Sequence, residues 1–300
     1  MAPVPVLINR TGGTAASRGD RLDGEIEAAF ATAGVPIALQ LLDGCDVLEA
    51  AKAVAHHPVV VVGGGDGTLG CGARAMAGSG GALGILALGT RNHLARELGV
   101  PLDLPRAAKL IAARHTRAID LAQVNGELFL NNASIGFYPD MVRERDEMDL
   151  PKWVAALPAA GAALRRMKHH RLSLVASGMK RRVTTPMLFV GNNHYALEAG
   201  RLGRREALDG GTLSVYAIAS RHRLALIGFA IRAVLGRMNH DQDFAALGDV
   251  PELTVTGRSR TVDIALDGEV MELKMPLEFT LIPGGLTVIA PPLEETANSA

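Results

Sequence analysis

The sequence predicts an α/β N-terminal domain with a mostly parallel sheet, followed by a mainly antiparallel β-sandwich domain. Three observations carry this expectation. The run Val59-Val60-Val61-Val62 is apolar at every position, as suits a strand covered on both faces, whereas a half-exposed strand alternates. As far as Arg114, apolar strands and helical stretches alternate, the order that builds a parallel sheet flanked by helices. Beyond that point strand follows strand with few helices between, which suits an antiparallel sandwich. The boundary is expected near residue 118, giving domains 1–118 and 119–300, with the last strand or tail free to return to the first domain.

Taken in order, Val4 to Ile8 is a short apolar strand ending in the polar turn Asn9-Arg10-Thr11-Gly12-Gly13. Leu22 to Ala33 reads as a helix, Ile37 to Leu42 as the second strand, and Val47 to His56 as the helix that leads into the valine strand. That strand runs into Gly63-Gly64-Gly65-Asp66-Gly67-Thr68, after which Leu69 to Ala77 is helical. Gly84 to Leu88 is a further strand, ending in Gly89-Thr90-Arg91-Asn92, and Arg106 to Arg114 is a short helix. Strands are then expected at Thr116–Leu121, Leu128–Ser134, Arg171–Ala176, Val183–Gly191 and Thr212–Ala219. Four more follow at Glu252–Thr256, Thr261–Leu266, Leu277–Leu281 and Leu286–Ala290.

With 48% hydrophobic and 21% charged residues, the 300-residue chain supports a sizeable core rather than disorder. A formal net charge of zero argues against a dedicated nucleic-acid binder. Cys45 and Cys71 have neither metal-ligand nor disulfide-framework spacing, which fits a reducing, cytoplasmic compartment. The N-terminus lacks the pattern of a signal peptide, and no stretch reads as a transmembrane helix. Charge is nevertheless uneven: from Arg165 to Arg237 there are 14 Lys or Arg against three acids. Two helical stretches there, Trp153 to Lys168 and Leu224 to Met238, are basic with apolar positions. Each reads either as a core-packing helix with a solvated face or as a helix resting on an anionic membrane.

Three strands of the first domain end in glycine, threonine or asparagine turns, and loops at strand C-termini line one crevice of a parallel sheet. Gly64, Gly65 and Gly67 let backbone amides converge on a ligand such as phosphate. Gly65, Gly67 and Gly70 also fit a dinucleotide fingerprint, but Ile85-Leu86-Ala87-Leu88-Gly89 lacks the acid that this motif requires about 20 residues on. Asp66 within the run is placed to meet a metal ion directly or through water, to hold a ribose, or to hold the loop itself. Asp267-Gly268 reads on its own as a hairpin turn.

In this order the motifs resemble the diacylglycerol kinase catalytic-domain superfamily, which includes bacterial soluble lipid kinases and sphingosine and ceramide kinases and is distantly similar to NAD kinases. Gly64-Gly65-Asp66-Gly67-Thr68 looks like its glycine-rich motif, and Asn9-Arg10-Thr11-Gly12-Gly13 resembles its Asn-Pro-x-x-Gly loop with Arg10 in place of proline. Gly89-Thr90-Arg91-Asn92 resembles its second nucleotide motif, and Asn131-Asn132-Ala133-Ser134-Ile135-Gly136-Phe137 the strand after the domain junction. Asp267-Gly268-Glu269 looks like the late motif whose aspartate is proposed as catalytic base. Two departures stand out: Gly70 replaces a usual asparagine, and Gly210 replaces the second aspartate of a Leu-Asp-Asp-Gly stretch associated with structural magnesium.

The resemblance implies an ATP- and Mg2+-using kinase with its nucleotide site in the interdomain cleft. Its acceptor would be the free hydroxyl of diacylglycerol, ceramide or a sphingoid base. Asn9, Thr11, Gly12, Gly13, Gly64, Gly65, Asp66, Gly67, Thr68, Gly89, Thr90 and Asn92 would bind nucleotide. Asp267, with Asp66 and Glu269, would carry the chemistry, Glu269 lying two residues on along the same strand face. No residue set is assigned to a metal. The expected setting is a cytoplasmic protein peripherally associated with an anionic membrane surface, without nucleic-acid partners and compatible with a homodimer. Two other readings stay open: a kinase of a soluble small molecule, and a nucleotide- or lipid-binding regulator weakened in turnover.

Overall fold

The structure, a computed structural model, describes residues 2–11, 15, 19–136, 139, 169–195, 205, 207–218 and 244–292. Gly12, Gly13, Phe137 and the two basic helical stretches fall outside these residues. The chain divides into two compact units, Met1–Leu121 with Pro283–Ala300, and Ala122–Ile282.

The elements begin with β1 (Val4–Asn9), α1 (Leu22–Thr32), β2 (Ile37–Leu42), α2 (Val47–Val54), β3 (Val59–Gly64) and α3 (Asp66–Met76). There follow β4 (Ala82–Ala87), α4 (His93–Glu97), α5 (Leu104–Ala113) and β5 (Thr116–Val124), which carries the chain into the second unit. Next come β6 (Glu127–Phe129), β7 (Asn132–Gly136), β8 (His170–Ala176), β9 (Met179–Thr185), β10 (Met187–Asn192) and β11 (Leu213–Ile218). The last are β12 (Phe244–Val250), β13 (Glu252–Thr256), β14 (Thr261–Leu266), β15 (Glu269–Lys274) and β16 (Leu277–Ile289).

In the first unit β2, β1, β3, β4 and the final part of β16 lie side by side, all parallel. β3 and β4 are buried along their whole length, whereas β2 at the edge alternates. One face packs Val6, Ile8, Val61 and Leu86 against Phe30 of α1 and Ile111 of α5. α3 closes against Val62 and Leu83, where a side chain at Gly72 would stand only 2.9 Å from Val62.

The second unit holds two antiparallel layers. One contains β6 with the end of β5, the start of β16, β13, β8 and β9; the other runs β12-β11-β10-β7-β14-β15. Leu174, Val255 and Phe279 of the first layer share a core with Ile135, Val190 and Ile264 of the second. Within it Phe129 and Phe279 meet edge to face, with ring centroids 6.4 Å apart.

The structure corrects several expected elements. The span expected as one strand over 128–134 is two, β6 and β7, because the amides of Leu130 and Asn131 leave the ladder for the Asp267 carboxylate. The span over 183–191 divides into β9 and β10 at Pro186, which has no amide to donate. Pro283-Gly284-Gly285, expected as a break, lies inside β16; Gly284, with φ +60°, donates its amide to Asp120 at 2.9 Å. β12 and β15 were not expected.

Truncating Phe279 to alanine removes a fully buried ring from this core and is expected to cost about 3–5 kcal/mol of stability. Urea unfolding followed by tryptophan-independent circular dichroism measures it; a change below about 1 kcal/mol would show that the sandwich core closes around the gap.

Candidate functional site

β1, β3 and β4 point the same way, with Ile8 opposite Gly63 and Gly64 opposite Ala87, so their following loops leave one edge of the sheet. Side chains knit these loops together. Asn9 Nδ2 donates to Thr68 Oγ1 at 2.9 Å. Asn9 Oδ1 accepts from the amide and hydroxyl of Thr11, at 3.0 and 2.8 Å. Asn92, left-handed at φ +51°, accepts from the Gly89 amide at 2.8 Å and donates to the Gly89 carbonyl at 2.9 Å. The Gly89 backbone lies so close to Gly65 that a Cβ at position 89 would collide with the Gly65 Cα. Arg10, at the place of the resemblance's proline, pairs in the open with Asp43 at 3.0 Å.

The glycine turn is shorter than the sequence suggests. α3 begins at Asp66, three residues earlier than expected, and its first hydrogen bond runs from the Leu69 amide to the Gly65 carbonyl. Gly65 caps this helix and supplies no side-chain bond. The first-turn amides therefore form a donor set suited to phosphate oxygens. Asp66 accepts from the Leu94 amide at 3.2 Å, linking the start of α3 to the start of α4. That bond is a loop-holding contact, one of the uses open to Asp66. Thr68 and Asn92 are buried and engaged in loop contacts, while Gly67 and Thr90 are exposed. Gly64 leaves no room for a side chain beside Thr68. This open, glycine-lined edge fits nucleotide phosphates.

Asp267 lies in the second unit, in a two-residue turn between β14 and β15. Asp267 at φ +49° and Gly268 at φ +89° are both left-handed, as a tight hairpin turn of this kind requires. Because Asp267 is a turn residue, it shares no strand face with Glu269, which opens β15 and is exposed. The Asp267 carboxylate accepts three amides: Leu130 at 2.7 Å on Oδ2, and Asn131 at 2.7 Å and Asn132 at 3.1 Å on Oδ1. Burial pushes its carboxyl above the usual range, against the opposing pull of those three amides and of the Arg205 charge.

Sequence reasoning missed the residues on the far side of this turn. Asn192 Nδ2 and Arg205 Nη1 donate to the Leu130 carbonyl at 2.9 and 2.7 Å, and the Tyr195 hydroxyl to the Asn131 carbonyl at 2.9 Å. The polar pair Asn192-Asn193 closing an apolar strand was the available signal; Arg205 had none, being one cation among many.

The residues at 208–211 do not fit a protein-held magnesium ion. Asp209 is exposed, and a side chain at Gly210 would approach Asn193 Oδ1, a buried oxygen that finds no hydrogen-bond partner among the described residues, at 3.0 Å. Among the described residues no group of three His, Cys, Asp or Glu is arranged to hold a metal. Nor is any described helix long and apolar enough to cross a membrane.

The sequence profile of the diacylglycerol kinase catalytic domain matches residues 3–124. A Pseudomonas aeruginosa protein named "Probable lipid kinase YegS-like" is 33% identical over 285 residues, covering 89% of this chain and 90% of its own. A protein of the same name from Pseudomonas syringae pv. tomato is 32% identical over 244 residues, 79% and 77% of the two chains. A crystal structure of a diacylglycerol kinase from Bacillus anthracis strain Sterne superposes with a TM-score of 0.67 at 20% identity, covering 97% of both chains, a likeness of fold. The chain belongs to the diacylglycerol kinase catalytic-domain superfamily.

Proposed function

We propose that the protein transfers the γ-phosphoryl group of ATP to the free hydroxyl of a membrane lipid, namely diacylglycerol, ceramide or a sphingoid base. The observation that carries this reading is the knitting of three loops at one edge of a parallel sheet, beside a helix start that no side chain caps. Phosphoryl transfer asks a protein mainly for positioning and charge stabilisation, and such an edge offers both. The names of the relatives support a lipid as the acceptor.

ATP supplies the phosphoryl group. The amides of residues 64–68 receive phosphate oxygens, and the exposed Thr90 hydroxyl adds a contact at the loop tip. Asn9, Thr68 and Asn92 act through loop shape, each holding a backbone turn that the nucleotide touches. Asp66 fixes the separation of the α3 and α4 starts through the Leu94 amide. Magnesium would accompany ATP and neutralise charge on the phosphoryl group in flight; no residue set of this chain is assigned to hold it. In the second unit Asp267 accepts the lipid hydroxyl proton. The hydroxyl oxygen forms the new P–O bond, the bond to the ADP oxygen breaks, and the proton passes to the carboxylate. Oδ2, with one amide bond against two on Oδ1, has the acceptor capacity left for it.

The membrane half of the proposal rests on basic surface. Among the described residues, Lys180, Arg181 and Arg182 of β9 are exposed beside Met179, itself 74% exposed. Binding to anionic vesicles is expected to fall steeply as salt rises, since each basic residue near such a surface contributes about 1 kcal/mol. Equal sedimentation with neutral and anionic vesicles would remove this part of the reading.

Asp66→Ala cuts the α3–α4 link and is expected to slow transfer about 10²-fold, the order of effect of a misplaced reacting group, with the fold retained by circular dichroism. Near-normal turnover in the folded variant would take Asp66 out of the site.

Asp267→Asn is the decisive variant. Asparagine tolerates the left-handed turn, but its amide nitrogen cannot accept the Leu130 N–H, so a melt should drop by about 1–3 kcal/mol on either reading. A catalytic base also predicts single-turnover transfer roughly 10²–10⁴ slower at saturating ATP with ATP affinity unchanged. A clamp alone predicts parental transfer by the molecules that remain folded. The parent's transfer should rise with pH through the raised Asp267 value, since the anion is the active form. Stability moves the other way: the tightly held proton favours the fold below the ordinary carboxylate range, and that contribution is lost as pH rises through the raised value.

A further inference from the structure

The segment Leu130–Asn132 is held from both sides. Its three amides point at Asp267, while the Leu130 and Asn131 carbonyls take donors from Arg205, Asn192 and Tyr195 and the Asn132 carbonyl takes the Asp267 amide. The Leu130 carbonyl and the Asn131 amide belong to one peptide group. A guanidinium therefore bonds the oxygen end of this group at 2.7 Å, and its N–H end bonds Asp267 Oδ1 at 2.7 Å. Arg205 also donates from Nη2 to Asn131 Oδ1 at 3.0 Å, so two bonds fix its plane. It is 7% exposed, with the Tyr195 ring centroid 6.0 Å from its Cζ.

We propose that Arg205 is a positioning residue for phosphoryl transfer: acting through the Leu130–Asn131 peptide, it orients the Asp267 carboxylate and favours its proton-accepting form. The proposal rests on the reading of Asp267 as the base. A charged donor on a carbonyl polarises the whole peptide group and strengthens the bond that its N–H makes on the other side. Arginine suits the task because it stays protonated under all working conditions and its planar fork reaches two acceptors at once. Asn192 and Tyr195 bring neutral donors to the same carbonyls, so they share the orienting role without the charge. Among the described residues Glu269 is the ionisable group next to the turn in sequence, at the start of β15.

The test compares pH profiles of single-turnover transfer from ATP to diacylglycerol in mixed micelles, beside thermal melts, for the parent and five variants. Arg205→Met is expected to move the acid limb up by about one pH unit, which makes transfer about tenfold slower at any pH below the limb. KM for ATP should not change. Arg205→Lys restores the charge and is expected to bring the limb most of the way back. Tyr195→Phe removes a neutral bond to the same segment and should leave the limb in place. Where Arg205→Met melts too low to assay, Arg205→Gln keeps a donor for the Leu130 carbonyl without the charge and carries the same expectation. A limb unmoved by charge removal, or moved equally by Tyr195→Phe, overturns the proposal. Asp267→Asn separates the two levels: a slow variant lacking the limb keeps the base reading while the relay alone fails, and near-parental transfer overturns both.

Discussion

The first unit depends on one constraint, the burial of β3 on both faces. A strand with no exposed side has to hydrogen-bond two neighbours and be roofed by helices above and below. β1 and β4 supply the neighbours, α1 and α5 one roof, and α3 packs against the other face. Parallel pairing then delivers the ends of three strands to one edge. The glycine and asparagine loops meet there because the sheet leaves them nowhere else to turn. The collision that any side chain at Gly89 would have with Gly65 measures how close that meeting is.

In the second unit a smaller constraint governs the turn. Buried peptide groups must find partners, and Leu130 and Asn131 leave the β ladder between β6 and β7. Their amides are satisfied by one carboxylate and their carbonyls by Arg205, Asn192 and Tyr195. Asp267 is thus a turn residue and an amide acceptor at once. A left-handed backbone aims its side chain back across the hairpin, and the same geometry that makes Asp-Gly a turn places the carboxylate over the neighbouring loop.

Apolar pattern revealed these strands with little ambiguity: β2 of the parallel sheet and β13 and β14 of the antiparallel layers have the expected bounds, and β1 and β3 end at the motifs that mark them. Pattern failed where other physics decides. β15 carries Glu269, Glu272 and Lys274 on a partly exposed layer, so its alternation is masked by charge. The break between β6 and β7 comes from a carboxylate 137 residues from Leu130 in sequence, which no local window contains. Asp66 looked like a loop acid because three glycines precede it, yet the helix starts on it. Arg205 was invisible for a different reason: in a region crowded with cations, sequence does not mark it, and only the fold shows that its guanidinium is buried.

The path of β16 has a consequence for biosynthesis. Thr287 and Val288 pair with Ala82 and Leu83 in the first unit's sheet, although about 200 residues separate them in sequence. At roughly 5–20 residues per second, the β4 flank waits on the order of 10–40 s on the ribosome for its partner strand. During that interval a buried, apolar strand presents an unpaired edge, the feature that invites misassociation. The second unit's chain is translated entirely within that wait. Synthesis order and folding order therefore diverge: the unit begun first is completed last, and a chaperone that shields the edge of β4 would act on this nascent chain before the nucleotide loops have a finished sheet to stand on.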